Sequence, residues 1–413
     1  MKTRFIILTL FTTIGMLSQT IQNDLEKVLQ KNKLIGLTVK TFTGSKIATY
    51  NFGIQNEITQ VPISNATTFR IASISKSFSA LGLMKLYDQK KFKLDDDISK
   101  YIGFTVRNPK FPKSKITFRM LLNHTSSLQD GTGYDGFLAG TFSQKPSPNL
   151  SSILLPTGSN YTEDMWMNHK PGSYFTYSNL GYGLIGTLVE KISNQRFDSY
   201  LKKEILEPLG ISGSFYLDDI ALPTLATLYR SENNAWKPEK DDYSVNKPKP
   251  TDVSDYVIGN NAVFFGPQGG LRASAADLIK FLKFLKSDGK SVPNLISKKT
   301  LAQMKKTQWC FKDSNGDNYD GFFKQYGLGL HQTNKDGSDL VYNPDVFGSF
   351  IGHAGDAYGL TSDAYFSVKE NFGFVIITNG SFDPFIKGKK SSFNAFEEEI
   401  FEIICADYLK NKK

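Results

Sequence analysis

Apolar residues recur at helical spacing in Ile21, Leu25, Val28 and Leu29, which predicts an amphipathic helix near the start of the chain. Two strands are predicted next, over Leu34–Thr43 and Lys46–Gly53, and Thr43, Gly44 and Ser45 between them have the turn chemistry of a hairpin. The far end mirrors this pattern. Phe347–His353, Thr361–Val368 and Phe372–Thr378 read as strands, the last two joined by a turn at Lys369, Glu370 and Asn371. A closing helix follows, with Phe393, Phe396, Ile400, Ile403, Ile404 and Tyr408 on one face. The middle of the chain is mostly helical in period, over 73–90, 116–122, 178–193 and 199–206, and Ser274 with Asp277 forms a capping box that opens a helix through Phe284. The expected fold is therefore α/β of the α+β kind: one antiparallel sheet completed by both chain ends, flanked by helices, with a largely helical lobe inserted. Two stretches break the pattern. Residues 129–160 are rich in Gly, Ser, Pro and Tyr and are long enough for a functional loop, and 237–254, with Lys237, Pro238, Pro248 and Pro250, reads as a connector crossing between lobes.

The chain has 413 residues, 40% hydrophobic and 22% charged, so it can bury a large core. Lys2 and Arg4 precede an apolar run from Phe5 to Leu17 that is too short for a comfortable membrane span and has the form of a secretory signal. The expected division is a signal peptide over 1–20 and a single two-lobed domain over 21–413, exported to the periplasm or the extracellular space and not stably inserted in a membrane after cleavage. The net charge of +9 is spread along the chain, and a nucleic-acid surface is not indicated. Cys310 and Cys405 are the two cysteines, so there is no disulfide framework and no thiolate metal cluster, and both are expected as buried free thiols. Asp313, Asn315 and Asp317 start like a calcium loop, but Asn318 stands at the turn-glycine position and Lys324 where a bidentate glutamate is needed, so a polar turn is expected. No cofactor and no metal are expected.

Ser73 and Lys76 lie one helical turn apart, where the amine can reach the hydroxyl. Serine needs such help, because its hydroxyl is a poor nucleophile until a base takes the proton. The same spacing occurs at Ser199/Lys202, Ser244/Lys247 and Ser287/Lys290, so it proves little alone. Lys76 acts as a base only when neutral, and lowering its pKa from about 10.4 to about 7 costs about 4.6 kcal/mol, which requires a dry site. Its neighbours Ile71, Ile74, Phe78 and Leu81 suit that requirement. Tyr177 begins the one Tyr-x-Asn in the chain and His353 the one His-x-Gly. Tyr177 and Asn179 are placed on a loop leading into a helix, where a phenol can relay protons and an amide can bind a substrate amide or orient Lys76. His353, Ala354 and Gly355 are placed at the end of a strand, with Gly355 allowing close approach to the backbone.

The runs 69–76 (FRIASISK), 121–126 (LLNHTS), 171–179 (PGSYFTYSN), 207–210 (EPLG) and 269–274 (GGLRAS) together resemble the serine β-lactamase-like family, which includes class C β-lactamases, D-alanyl-D-alanine carboxypeptidases, D-amino-acid peptidases and related esterases. The resemblance implies Ser73 as the acylated nucleophile, Lys76 as its activator and Tyr177 as general acid/base. It also implies substrate contacts from Asn179, a wall made by His353, Ala354 and Gly355, and oxyanion donors in the backbone N–H groups of Ser73 and Asp356. The active site would lie between the lobes. The departure is at the third element, where class C β-lactamases have Lys-Thr-Gly and this chain has a mostly neutral histidine and an alanine.

The function expected is an exported serine hydrolase that forms an acyl-enzyme on a small ester or peptide-like amide. Rival readings are a D,D-carboxypeptidase or D-aminopeptidase acting on cell-wall peptides, a weak β-lactamase, and a non-catalytic ligand-binding protein that keeps the fold.

Overall fold

The computed structural model describes residues 20–333, 343–382 and 385–412. The expected signal segment therefore lies almost wholly outside the described residues. Twelve strands are formed among them: β1 (Gly36–Thr43), β2 (Lys46–Gly53), β3 (Thr68–Arg70), β4 (Leu228–Glu232), β5 (Ala235–Lys240), β6 (Arg272–Ser274), β7 (Trp309–Cys310), β8 (Gln325–Tyr326), β9 (His331–Gln332), β10 (Phe350–Ala357), β11 (Leu360–Ser367) and β12 (Phe372–Thr378). Eight of them make one antiparallel sheet in the order β2-β1-β12-β11-β10-β9-β8-β7. The amino-terminal hairpin thus pairs with the carboxyl-terminal strand, Leu37 opposite Thr378, as the symmetry of apolar runs at the two ends predicts.

The central strands are apolar on both faces because both faces are covered. In β12 all seven residues are buried. Phe372, Phe374 and Ile376 face the helix over 20–31 and the last helix, Ala395–Asn411, in a cluster with Leu25, Phe396, Ile400 and Ile404. The alternate residues Val375 and Ile377 face the main core, with Phe78, Leu81 and Leu278. That core joins the sheet to helices Ser75–Asp88, Asn179–Ser193 and Ala275–Lys286, the last opened by the expected capping box of Ser274 and Asp277.

The structure corrects several element boundaries. Phe347 ends a short helix, Pro344–Phe347, so the strand begins at Phe350 and continues to Ala357, and His353 sits in mid-strand rather than at a strand end. The 129–160 stretch is not an irregular loop: it contains helices Gly133–Ser143 and Ser151–Leu154, held by the buried side chains of Tyr134, Phe137, Ile153 and Leu154. Its Gly and Ser content hid an apolar stripe. The 237–254 stretch begins as β5, paired with β4 in a hairpin. The polar turn at 313–317 braces the segment before Tyr177, with Phe175 N–H donating to Asn315 O and Asp317 N–H to Phe175 O. Cys405 is buried and Cys310 half-buried, and both are free. No described helix is long and apolar enough to cross a membrane, and no cluster of metal-ligating side chains occurs among the described residues.

The last helix closes one face of the sheet through a few large contacts, and Ile400 at its centre is fully buried. Ile400→Ala is expected to lower the unfolding free energy by about 2–5 kcal/mol, measured by urea titration.

Candidate active site

β3 pairs with β6, Arg70 opposite Arg272, and delivers the chain to a tight turn at Ala72, whose φ is +47°. A non-glycine residue in this region carries strain of order 1–3 kcal/mol, which here lies immediately before Ser73. A single 3-10 turn over Ala72–Ile74 leads into helix Ser75–Asp88, so Ser73 occupies the turn ahead of the regular helix. Ser73 stays half-exposed while Lys76 is fully buried.

Lys76 Nζ has three oxygen neighbours: Ser73 Oγ at 2.9 Å, Asn179 Oδ1 at 2.7 Å and Gln268 O at 2.7 Å. The Asn179 and Gln268 oxygens can only accept, so each fixes one N–H. The third tetrahedral position then points at Ser73, as a proton in the ammonium or as a lone pair in the neutral amine. Burial lowers the Lys76 pKa to about 7, and the Asp130 charge acts in the opposite sense. Near neutral pH the amine is thus available as a proton acceptor for Ser73.

Asp130 has no counterpart in the motifs read from the sequence. Its carboxylate accepts from the backbone N–H groups of Asn179 and Leu180, from Asn179 Nδ2 and from Ser178 Oγ. It therefore places a negative charge at the start of helix Asn179–Ser193, where the dipole favours it, and sets the direction of the Asn179 amide. With Oδ1 on Lys76 and Nδ2 on Asp130, Asn179 is used as an orienting group for the lysine.

Tyr177 covers the other side of Lys76, its ring centroid 4.7 Å from Nζ, and its phenol faces Ser73. Burial pushes the phenol pKa well above 10, so the group holds its proton. The ring is sandwiched between Phe323 and His124 at centroid distances of 5.2 and 4.4 Å. His124 accepts from Ser178 N–H through Nδ1 and is held neutral by burial. It works as packing and as an anchor for the loop that carries Tyr177.

β10 makes the facing wall. At Gly355 an added Cβ would lie 2.6 Å from Ile71 O and 3.0 Å from Ser73 N, so only glycine lets the strand press against the turn that carries Ser73. Asp356 follows with an exposed side chain, which leaves its backbone as its contribution to the cleft. His353 is buried: Nδ1 donates to Ala354 O at 2.5 Å, which leaves Nε2 to accept from Tyr326 Oη at 2.8 Å. Its pKa is lowered to about 3, chiefly by burial, so it carries no charge at neutral pH. Ala354 points to the opposite face of the sheet, against the cluster under the terminal helices, and its side chain is no part of the wall.

The Lys76 ammonium is expected to titrate near pH 7 by NMR of its side chain, far below an ordinary lysine. Asp130→Asn removes the charge that favours the ammonium and is expected to move that midpoint to lower pH. A midpoint near 10 in the unsubstituted protein contradicts the dry environment described above.

Residues 19–392 match the Beta-lactamase family. Protein flp of Staphylococcus aureus is 24% identical over 370 residues, which are 87% of this chain and 63% of that protein, so the chain spans less than two thirds of this relative's length. Among solved structures, the D-amino acid amidase of Ochrobactrum anthropi superposes with a TM-score of 0.68 at 19% identity, covering 96% of this chain and 99% of the amidase. A class C beta-lactamase superposes with a TM-score of 0.65 at 17% identity, covering 94% and 96% of the two chains. At these identities the structures attest the fold, and the family match runs through every segment that builds the cleft: the chain belongs to the Beta-lactamase family.

Proposed function

We propose that the protein is an exported serine hydrolase that forms a covalent acyl-enzyme on Ser73. The observation that carries this reading is the buried Lys76, with two of its three bonding directions fixed by Asn179 and Gln268 and the third aimed at Ser73 at 2.9 Å. A binding protein has no use for an amine desolvated in this way beside a hydroxyl. In the forward step Lys76 takes the Ser73 proton as Oγ bonds to the substrate carbonyl carbon. The tetrahedral oxyanion is held by the backbone N–H groups of Ser73 and Asp356. Tyr177, protonated in the resting state, gives its proton to the departing group and regains one from the Lys76 ammonium. A water molecule then attacks the acyl carbon and loses its proton to this same pair; the C–Oγ bond breaks as the pair returns that proton to Ser73 Oγ, and the acid departs.

The substrate class proposed is a small ester or peptide-like amide. The D-amino acid amidase shares the fold, which makes amides a reasonable part of any screen. Hydrolysis of peptides ending in a free carboxylate is less favoured, because His353 is neutral and has both ring nitrogens engaged. A carboxylate brought there would be left half paired, at a cost of several kcal/mol.

A serine-directed fluorophosphonate is expected to add to Ser73 alone, located by peptide mass mapping; an adduct elsewhere removes the basis of the mechanism. Lys76→Ala and Tyr177→Phe should each lower kcat/KM by about 10²–10⁴, with the double variant little worse than the poorer single one, because the two residues move one proton. The acid limb of the kcat/KM profile should rise through about pH 7 as Lys76 loses its proton.

Neutral p-nitrophenyl esters are expected to be turned over faster than cephalosporins or peptides with a free carboxylate on the leaving side. A cephalosporin kcat/KM matching that of the best ester would show that a cation other than His353 serves that side.

A further inference from the structure

Beyond the Tyr358 end of β10, a cavity of about 260 Å³ is lined by Arg70, Lys240, Tyr243, Gln268, Arg272 and Tyr358. Arg272 is committed: Nε and Nη2 donate to Asp241 at 2.9 and 2.7 Å, and both partners are buried. Arg70 is not. Among the described residues its guanidinium makes one hydrogen bond, from Nε to Gly269 O at 3.2 Å, and it lies 5.4 Å from the Tyr358 ring centroid. Lys240 Nζ approaches the same ring, at 5.6 Å. Three cations therefore line the cavity, none of its lining residues is a carboxylate, and the neighbouring Asp241 is already paired with Arg272. Burial and then the Arg272 charge lower the Arg70 pKa, while Asp241, itself bonded to Arg272, acts in the opposite sense.

The cavity adjoins the nucleophile. Arg70 is on the strand that leads into Ser73, and the segment that forms the cavity wall also serves the site, since Gln268 O accepts from Lys76 and Gly269 lies against Ala72. Its side of the cleft is fixed by β10. The strand passes His353 first, then Gly355 against the Ser73 turn, then Ala357 and Tyr358. Tyr177, the group placed to protonate the leaving atom, is on the His353 side, their rings 6.3 Å apart. The cavity is thus at the end away from the leaving group, where the acyl half of a substrate extends.

We propose that Arg70, Lys240 and Tyr358 form an anion subsite for the acyl half, so that preferred substrates are esters or amides of acids bearing a second carboxylate distal to the scissile carbonyl. The open edge of one planar guanidinium, with an ammonium beside it, suits a planar carboxylate. The substrate class rests on the acyl-enzyme reading of Ser73; the subsite itself does not.

The test compares p-nitrophenyl hexanoate with the mono-p-nitrophenyl esters of glutaric, adipic and suberic acids. For the best-fitting diacid, kcat/KM is expected to exceed that of the neutral ester by about 10-fold or more, and the ratio to shrink as salt is raised. Arg70→Gln is expected to lower that ratio about 10- to 100-fold, the loss of a charge-assisted contact. Lys240→Glu, at an exposed position where folding is not at stake, is expected to lower it in the same sense. A wild-type ratio at or below one for every spacer overturns the proposal, as does a ratio that Lys240→Glu leaves unchanged. Calorimetric binding of monomethyl adipate to the Ser73→Ala protein separates the two readings. Saturable binding lost on adding Lys240→Glu supports the subsite whatever the chemistry; no binding, alongside Ser73-dependent hydrolysis of the neutral ester, overturns the subsite and leaves the hydrolase reading intact.

Discussion

The desolvation of one ammonium group organises the centre of this protein. Moving the Lys76 pKa from 10.5 to about 7 corresponds to about 5 kcal/mol by which burial disfavours its charged form. Such a side chain stays buried only where every bonding direction is met, and its partners are one local and two remote: the turn at Ser73, the start of helix Asn179–Ser193 and the loop carbonyl of Gln268. Each acceptor is in turn fixed by something else. Asp130 orients Asn179, and Arg70 Nε holds Gly269 O next to Gln268. The lysine thus specifies how the segments meet, and the same contacts leave its remaining bonding direction pointing at a serine.

The sheet supplies the rigidity this arrangement needs. β10 is buried between β11 and β9, and the sheet is covered on both faces, so a half-ångström adjustment of the wall beside Ser73 would have to be passed through packed side chains on either side. Gly355 is where the wall meets the strained turn at Ala72, and the missing side chain is what allows the contact. Strain at Ala72 and close approach at Gly355 are two halves of one device that presents Ser73 to the cleft.

Much of this was legible in the sequence where the determining contacts are local. The spacing of Ser73 and Lys76, the capping box at Ser274 and Asp277, the hairpin at Gly44 and the stripe on the last helix all depend on neighbours a few residues away, and they appear in the structure as read except that Phe393 precedes the helix and Ile403 is half-buried. Asp130 was not legible, because its partners begin 48 residues later and nothing around it marks an aspartate that caps a distant helix. The helices within 129–160 were hidden by composition: Phe137 and Ile153 anchor them, but Gly and Ser between the anchors give the signature of a loop. Ala354 shows a different kind of miss. Alternation along a strand already places it on the opposite face from His353 and Gly355, and grouping the three as one wall followed the motif instead of the pleat.

The distribution of charge along β10 gives the cleft a direction. At His353 the wall has a neutral imidazole with both nitrogens engaged and Tyr326 behind it, so this side chain offers an anion neither a charge nor an unused donor. Just past the other end of β10, at Tyr358, stand Arg70 and Lys240, and the neighbouring Asp241 is already paired with Arg272. A family member that carries a lysine in place of His353 has its fixed cation on the Tyr177 side of the cleft. Here a neutral histidine stands in that place, and Arg70 and Lys240 stand at the other end, across Ser73. An anionic ligand entering this cleft would therefore be drawn to the orientation in which its charge lies away from Tyr177 and His353. Under the acyl-enzyme reading proposed above, that orientation also keeps negative charge clear of Tyr177, since a phenol gives up its proton more easily when no carboxylate stands beside it.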